Sequence, residues 1–298
     1  MHHVSPPAPP PQRGGRRGLL RVLDGSHAPA LLRLCERDPV ANVFVTARVL
    51  GLLAREGAEV GGAVWGWFED AELVSACWAG ANLVPIEATP RALDAFAERA
   101  RTEGRRCSSL VGPADAVLGL WSRLEGHWRG VREVRSRQPL MLCDGDPAVE
   151  PDAAVRRSRL AELDIVVPAC VAMFTEEIGY PPSPPDGGTT YRARVADLVA
   201  AGRSFVRVDD SPRGPEVVFK AELGAVASRV AQVQGVWVAP HRRGEGLSVA
   251  GMAAVVAQTR AAGLPLVSLY VNDYNARAVA AYRRVGFREV GTFATVLF

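Results

Sequence analysis

The sequence predicts an α/β (α+β) fold built from two tandem units. Three observations carry this. Strand-like and helix-like segments alternate along nearly the whole chain. The order strand, two helices, three strands, helix, strand, helix, strand occurs twice. Between the two occurrences lies DGDPAVEPD, residues 144–152, whose prolines, glycine and acids read as a linker. Of the 298 residues, 48% are hydrophobic and 22% charged, which is enough apolar material for two ordinary domains. The expected division is an arm at 1–18, a first unit at 19–150 and a second at 151–298.

The arm, MHHVSPPAPPPQRGGRRG, is rich in proline and then in glycine and arginine, and reads as disordered. In the first unit, Leu19–Leu23 reads as a strand, and Ala28–Cys35 and Val43–Leu53 as helices. Ala63–Phe68 and Leu73–Trp78 alternate as two strands around the acidic turn Glu69-Asp70, and Ala81–Glu87 reads as a third. Thr89 suits a helix cap and Pro90 a first turn, which predicts a helix over Pro90–Thr102. Cys107–Val111, Ala114–Leu124 and Arg132–Leu142 follow as strand, helix and strand.

The second unit repeats the order. Val155–Ser158 reads as a strand, Leu163–Glu177 as a helix, GYPPSPPDGGTT as a loop and Tyr191–Ala201 as a helix. Ser204–Val208, Glu216–Ala225 and Ala231–Val238 read as three strands. Gly246–Ala262, Leu266–Val271, Asn275–Val285 and Glu289–Leu297 close the chain as helix, strand, helix and strand.

Composition excludes several classes. The net charge is +3, and the basic residues are scattered with no long run, so no nucleic-acid partner is expected. Lys220 is the single lysine; arginine carries the remaining positive charge. Cys35, Cys77, Cys107, Cys143 and Cys170 lie tens of residues apart with no CxxC, which predicts reduced thiols, no metal site and a cytoplasmic protein. No run of about 18 apolar residues exists, so no membrane partner is expected either.

Chemistry concentrates in HRRGEGLSVAG, residues 241–251, which lies between the apolar run VQGVWVAP and a helical segment. The first N–H groups of a helix lack internal partners and point outward with the positive end of its dipole. Glycines at 244 and 246 keep side chains out of that turn, and Arg242 and Arg243 add charge, so a pyrophosphate could be cradled there. A Walker A loop would need a lysine that is absent here. A dinucleotide GxGxxG counted from Gly244 fails at Val249, with too little chain downstream for its sheet. A coenzyme A pyrophosphate loop is the third reading.

RGEGLS, Arg243–Ser248, resembles the Q/R-x-x-G-x-G/A motif of the GNAT N-acetyltransferase superfamily, with Ser248 where the family has glycine or alanine. VNDYNARAVAAYRRVGF resembles that family's second signature through Asn272, Asn275, Ala278, Tyr282, Gly286 and Phe287. The resemblance covers roughly residues 153–298 and implies a tandem protein of two GNAT-like units. Each would be a mixed, mostly antiparallel sheet flanked by helices. It also implies acetyl-CoA as co-substrate, bound by Val236, Trp237, Val238, Arg243, Gly244, Glu245, Gly246, Leu247, Ser248, Asn275 and Tyr282.

By the same resemblance, an amine of a small molecule or peptide attacks the thioester directly and Tyr282 acts as general acid toward the leaving thiolate. The fourth strand of the unit holds no carboxylate, so Glu222, Glu176 or Glu177, or Gln234 through a water, is the candidate base, and Glu176 and Glu177 are also candidate substrate-binding residues. Two other functions stay open: a longer acyl-CoA as donor, or a non-enzymatic acetyl-CoA-binding regulator.

The first unit lacks the loop. Its corresponding turn, EATPRAL, has no Gly-x-Gly, and Leu120 or Trp121 stands near the position corresponding to Tyr282. This unit reads as a degenerate copy that keeps the fold without the donor site. Trp65, Trp67 and Trp78 are expected in its core, with a pocket as the alternative.

Overall fold

The computed structural model describes residues 18–54, 62–182, 188–212 and 214–298. The arm expected to be disordered therefore lies outside the described residues up to position 17, as does part of the proline-rich loop. The first half contains β1 (Gly18–Val22), α1 (Ala28–Cys35), α2 (Val43–Leu53), β2 (Gly62–Glu69), β3 (Glu72–Gly80), β4 (Asn82–Ile86), α3 (Pro90–Glu103), β5 (Ser109–Pro113), α4 (Ala114–Leu124) and β6 (Glu133–Cys143). The second contains β7 (Arg156–Arg157), α5 (Leu163–Ile178), α6 (Thr189–Ala200), β8 (Ser204–Ser211), β9 (Gly214–Ala227), β10 (Val230–Val238), α7 (Leu247–Ala261), β11 (Leu266–Tyr270), α8 (Ala276–Val285) and β12 (Arg288–Leu297). The repeated order is thus present in both halves.

The two halves share one twelve-stranded sheet, ordered β1-β2-β3-β4-β5-β12-β6-β11-β10-β9-β8-β7. Each half is mostly antiparallel, with one parallel pair, β4–β5 in the first and β10–β11 in the second. The final strands are exchanged. β12, the last strand of the chain, pairs with β5, and β6, the last strand of the first half, pairs with β11. β6 and β12 then pair antiparallel with each other at the centre. The result resembles a swapped dimer within one chain: each half has its sheet completed by the other.

Helices cover both faces. α3 and α4 bury Leu93, Phe96, Val117 and Leu120 on one face of the first half. α1 and α2 bury Leu31, Leu34, Val45 and Val49 on the other. In the second half, α7 and α8 cover one face through Met252, Val255 and Val285, and α5 and α6 cover the other through Val166, Cys170, Val195 and Val199. Trp65, Trp67 and Trp78 are buried in the first core, as expected. All five cysteines are free and buried, and no His/Cys/Asp/Glu group suited to a metal occurs among the described residues. No described helix is long and apolar enough to cross a membrane.

Candidate active site

β10 and β11 begin as a parallel pair and then separate. Their pairing spans only Val230↔Leu266, Ala231↔Val267 and Gln232↔Ser268, although β10 continues to Val238. From Val233 onward, β10 has no strand partner among the described residues on the side that faced β11, and Val236, Trp237 and Val238 are only partly buried there. A free strand edge of this kind takes an extended amide-bearing ligand as an added strand.

A bulge aims this edge. The β9–β10 register breaks between Gln234 and Trp237, and Gly235 sits at φ +59°, a conformation that favours glycine. Beneath it, Lys220 Nζ donates to Gly235 O at 3.0 Å and to Glu222 Oε1 at 2.6 Å. Lys220 is fully buried and Glu222 nearly so. The Cys170 thiol donates to the same carboxylate oxygen at 3.3 Å; burial pushes this thiol up to about 12, so it acts as a neutral donor. Glu222 is therefore a member of a buried charge cluster. Gln234 is exposed, with its side chain lying over Gly224.

The glycine turn follows β10. Gly244 and Gly246 sit at φ +90° and +81°, and a Cβ at either would meet nothing within 4 Å. The glycines thus serve backbone conformation, and the space in front of them is open. α7 starts at Leu247, with Gly246 as its cap residue and no side-chain cap. The N–H groups of Gly244, Glu245, Gly246, Leu247 and Ser248 have no acceptor among the described residues. Five unpaired donors at a helix start are an arrangement that favours an anion. In the first half, by contrast, Thr89 Oγ1 accepts from Ala92 N at 3.3 Å and closes the start of α3.

The two arginines of the turn differ. Arg242 is engaged by Asp209 and Glu245, both at 2.9 Å, and so neutralises Glu245. Arg243 bonds Val238 O at 3.0 Å and Glu176 Oε2 at 2.6 Å, and it remains half-exposed. Glu176 also accepts from Trp237 Nε1 at 3.1 Å, so it bridges α5, β10 and the turn. Glu177, the next residue, points elsewhere: it lies 3.6 Å from Arg135 of β6. The two glutamates expected together thus serve different places, as adjacent helix residues do.

Tyr282 lies on α8, nine-tenths buried, its ring tilted against Phe287 at 5.9 Å. Its hydroxyl has no hydrogen-bond partner among the described residues. Burial, and after it the Glu177 charge, push the phenol well above its ordinary value, so it stays protonated. Asn275 caps α8 by accepting from Ala278 N at 3.2 Å. In the first half, Leu120 is fully buried and Trp121 packs edge-on against Phe298 at 5.9 Å, so that corner carries no phenol.

Sequence reasoning missed Lys220 as a site element and Arg135 altogether. A lone lysine in an arginine-rich chain was a usable signal for the first. Nothing local marks Arg135, which reaches this half only through strand exchange.

Residues 185–287 match the model of the Acetyltransferase (GNAT) family, and residues 62–166 match that of a domain of unknown function, DUF4081. No curated protein sequence matches the chain. Among solved structures, a GNAT-family acetyltransferase from Colwellia psychrerythraea is 12% identical with a TM-score of 0.56, covering 94% of this chain and 99% of its own. A GCN5-related N-acetyltransferase from Sphaerobacter thermophilus is 17% identical with a TM-score of 0.58, covering 94% of each chain. A tandem GNAT protein from the clavulanic acid biosynthesis pathway is 13% identical with a TM-score of 0.55, covering 94% and 98%. At these identities the likeness is one of fold, and it extends over both halves. The match to the GNAT acetyltransferase family thus covers most of the second half of the chain, and the first half, much of which matches a domain of unknown function, shares the fold and has no comparable glycine turn.

Proposed function

We propose that the chain is an acetyl-CoA-dependent N-acetyltransferase with a single donor site, in the second half. The observation that carries this is the pairing of an uncapped, glycine-opened helix start with a strand edge left free by the β10–β11 separation. The first receives a pyrophosphate, and the second an extended pantetheine arm. Arg243 adds a cation at the turn, and Ser248 lies at the second helical position, where a small side chain leaves the backbone accessible.

In this reading the amine nitrogen attacks the thioester carbonyl, the C–S bond breaks, and the thiolate takes the Tyr282 phenol proton. A buried, neutral phenol with no other partner suits that role. Glu222, the base considered from the sequence, already balances the Lys220 charge. The acceptor's excess proton is therefore assigned to Glu177, which is half-exposed, lies 3.6 Å from Arg135, and follows Glu176, the residue that bonds Trp237 of the β10 edge. Asn275 holds the start of α8, and with it the position of Tyr282.

The test is steady-state thiol release by the full chain over a panel of primary amines, with Tyr282→Phe beside it. Amine-dependent thiol release is expected, falling roughly 100-fold in the variant, with acetyl-CoA affinity nearly unchanged. Tight acetyl-CoA binding without any acyl transfer would make the protein a binder of the donor and overturn the enzymatic reading.

A further inference from the structure

The exchanged strand β6 brings a charged cluster from the first half to the end of α5 in the second. Arg135 is nine-tenths buried there. Its guanidinium lies 3.0 Å from Glu133 Oε2 and 3.6 Å from Glu177 Oε1, and it donates to Glu177 O at 3.2 Å. Tyr274 donates its phenol to Glu133 Oε1 at 3.3 Å. The Arg135 hydrogen bond holds the Glu133 carboxyl below its ordinary value, so Glu133 is ionised at neutral pH. Two carboxylates thus face the Arg135 guanidinium, and exposed Arg132, whose guanidinium bonds the Ile178 carbonyl, is a second cation acting on Glu133. Both carboxylates are about half-exposed, at 40% and 52%, whereas the arginine between them is not. The cluster adjoins the free edge of β10: Glu176, next to Glu177 on α5, accepts from Trp237 Nε1 at 3.1 Å, and Tyr282, nine-tenths buried and unpartnered among the described residues, feels the Glu177 charge.

We propose that this cluster is the acceptor pocket, that the first half completes it through Glu133 and Arg135 of the exchanged strand, and that it takes primary ammonium groups with no carboxylate beside the amine. The proposal rests on the transferase reading and gives it an acceptor class. The outward oxygens of Glu133 and Glu177, with the Tyr274 phenol, receive an ammonium. Arg135 has its charge shared by two carboxylates, and its one unpartnered donor, Nε, is shut away from solvent, so it offers little to an anion. An α-amino acid would bring its carboxylate against two others. The first half is then a positioning partner of the active site, although it has no donor site of its own.

Arg132 and Arg135 also bond the Ile178 and Glu177 carbonyls at the end of α5, at 3.1 and 3.2 Å, so a purely structural role as helix caps must be separated. The Glu133→Gln variant does so, because it leaves both of these bonds in place. Thiol release is measured with matched pairs that differ only in the carboxylate: phenethylamine and phenylalanine, tyramine and tyrosine, tryptamine and tryptophan. The same preparations are titrated with acetyl-CoA. The expected result is turnover of the decarboxylated members at least tenfold above the amino acids. Glu133→Gln should raise the amine KM about tenfold or more, with kcat within about threefold and the acetyl-CoA KM unchanged, and Glu133→Asp should restore part of the loss. Preference for the amino acids, an unchanged amine KM in Glu133→Gln, or no turnover of any member despite acetyl-CoA binding would each overturn the proposal. Failure of acetyl-CoA to bind would overturn the transferase reading itself.

Discussion

Lys220 and Glu222 form a buried ion pair at 2.6 Å directly beneath the bulge of β10, and the same ammonium holds the Gly235 carbonyl at 3.0 Å. The single lysine of the chain is thus placed where two charges must be matched out of water. A longer, planar guanidinium would not fit the compact geometry that one Nζ satisfies here. The pair fixes the bulge, and the bulge turns the β10 edge toward the gap left by β11.

Lys220→Met should therefore be strongly destabilising, because it leaves the Glu222 carboxylate buried without its partner. A loss of about 3–5 kcal/mol in urea unfolding is expected, with much of it recovered in the Lys220→Met/Glu222→Gln double variant. A single variant as stable as the parent would mean that the pair does not hold the bulge.

Gly246→Asp should weaken acetyl-CoA binding tenfold or more. It sets a carboxylate at the anion cradle and a side chain at φ +81°. Gly246→Ala shares the backbone strain without the charge, so its smaller effect on binding separates the two causes. Arg243→Ala should weaken binding with little change in stability, because its bond to Glu176 joins two half-exposed groups. Equal donor affinity in parent and Gly246→Asp, with the fold intact, would remove the cradle from the mechanism.

Acid should unfold the protein through its arginine-paired carboxylates. Arg135 lowers Glu133, Arg288 lowers Asp144, Arg156 lowers Glu162 and Arg207 lowers Asp209. A carboxyl depressed in the folded state contributes stability above its unfolded pKa, and that stability is lost as pH falls through the folded one. Below about pH 4 the unfolded chain binds more protons, so Tm should be nearly flat from pH 7 to 5 and fall below about 4. A Tm that rises on acidification would show that these pairs do not stabilise the folded state.

The elements were legible in the sequence because their signals are local. Thr89 and Pro90 mark the start of α3, and the apolar alternation of Ala231–Val238 marks β10. The glycine turn was legible for the same reason: Gly244 and Gly246 are a backbone requirement written in two residues. Strand exchange was not legible, since β6 has the same period whether it pairs with β5 or with β11. The charged cluster around Arg135 depends on that exchange, so Arg135 and Glu133 read only as charges on a strand. Exchange has a consequence for dissection as well. Residues 151–298 alone would lack β6, leaving β11 and β12 without the strand that joins them. The second half expressed by itself is expected to be insoluble or unfolded, and the full chain is the proper object of binding work.

The most direct measurement is calorimetric titration of the full chain with acetyl-CoA. One site per chain is predicted, lost in Gly246→Asp and retained in Thr89→Ala, which opens the start of α3 without supplying the glycine turn. Two equivalent sites, or one site that survives Gly246→Asp and disappears in Thr89→Ala, would contradict a single donor site in the second half.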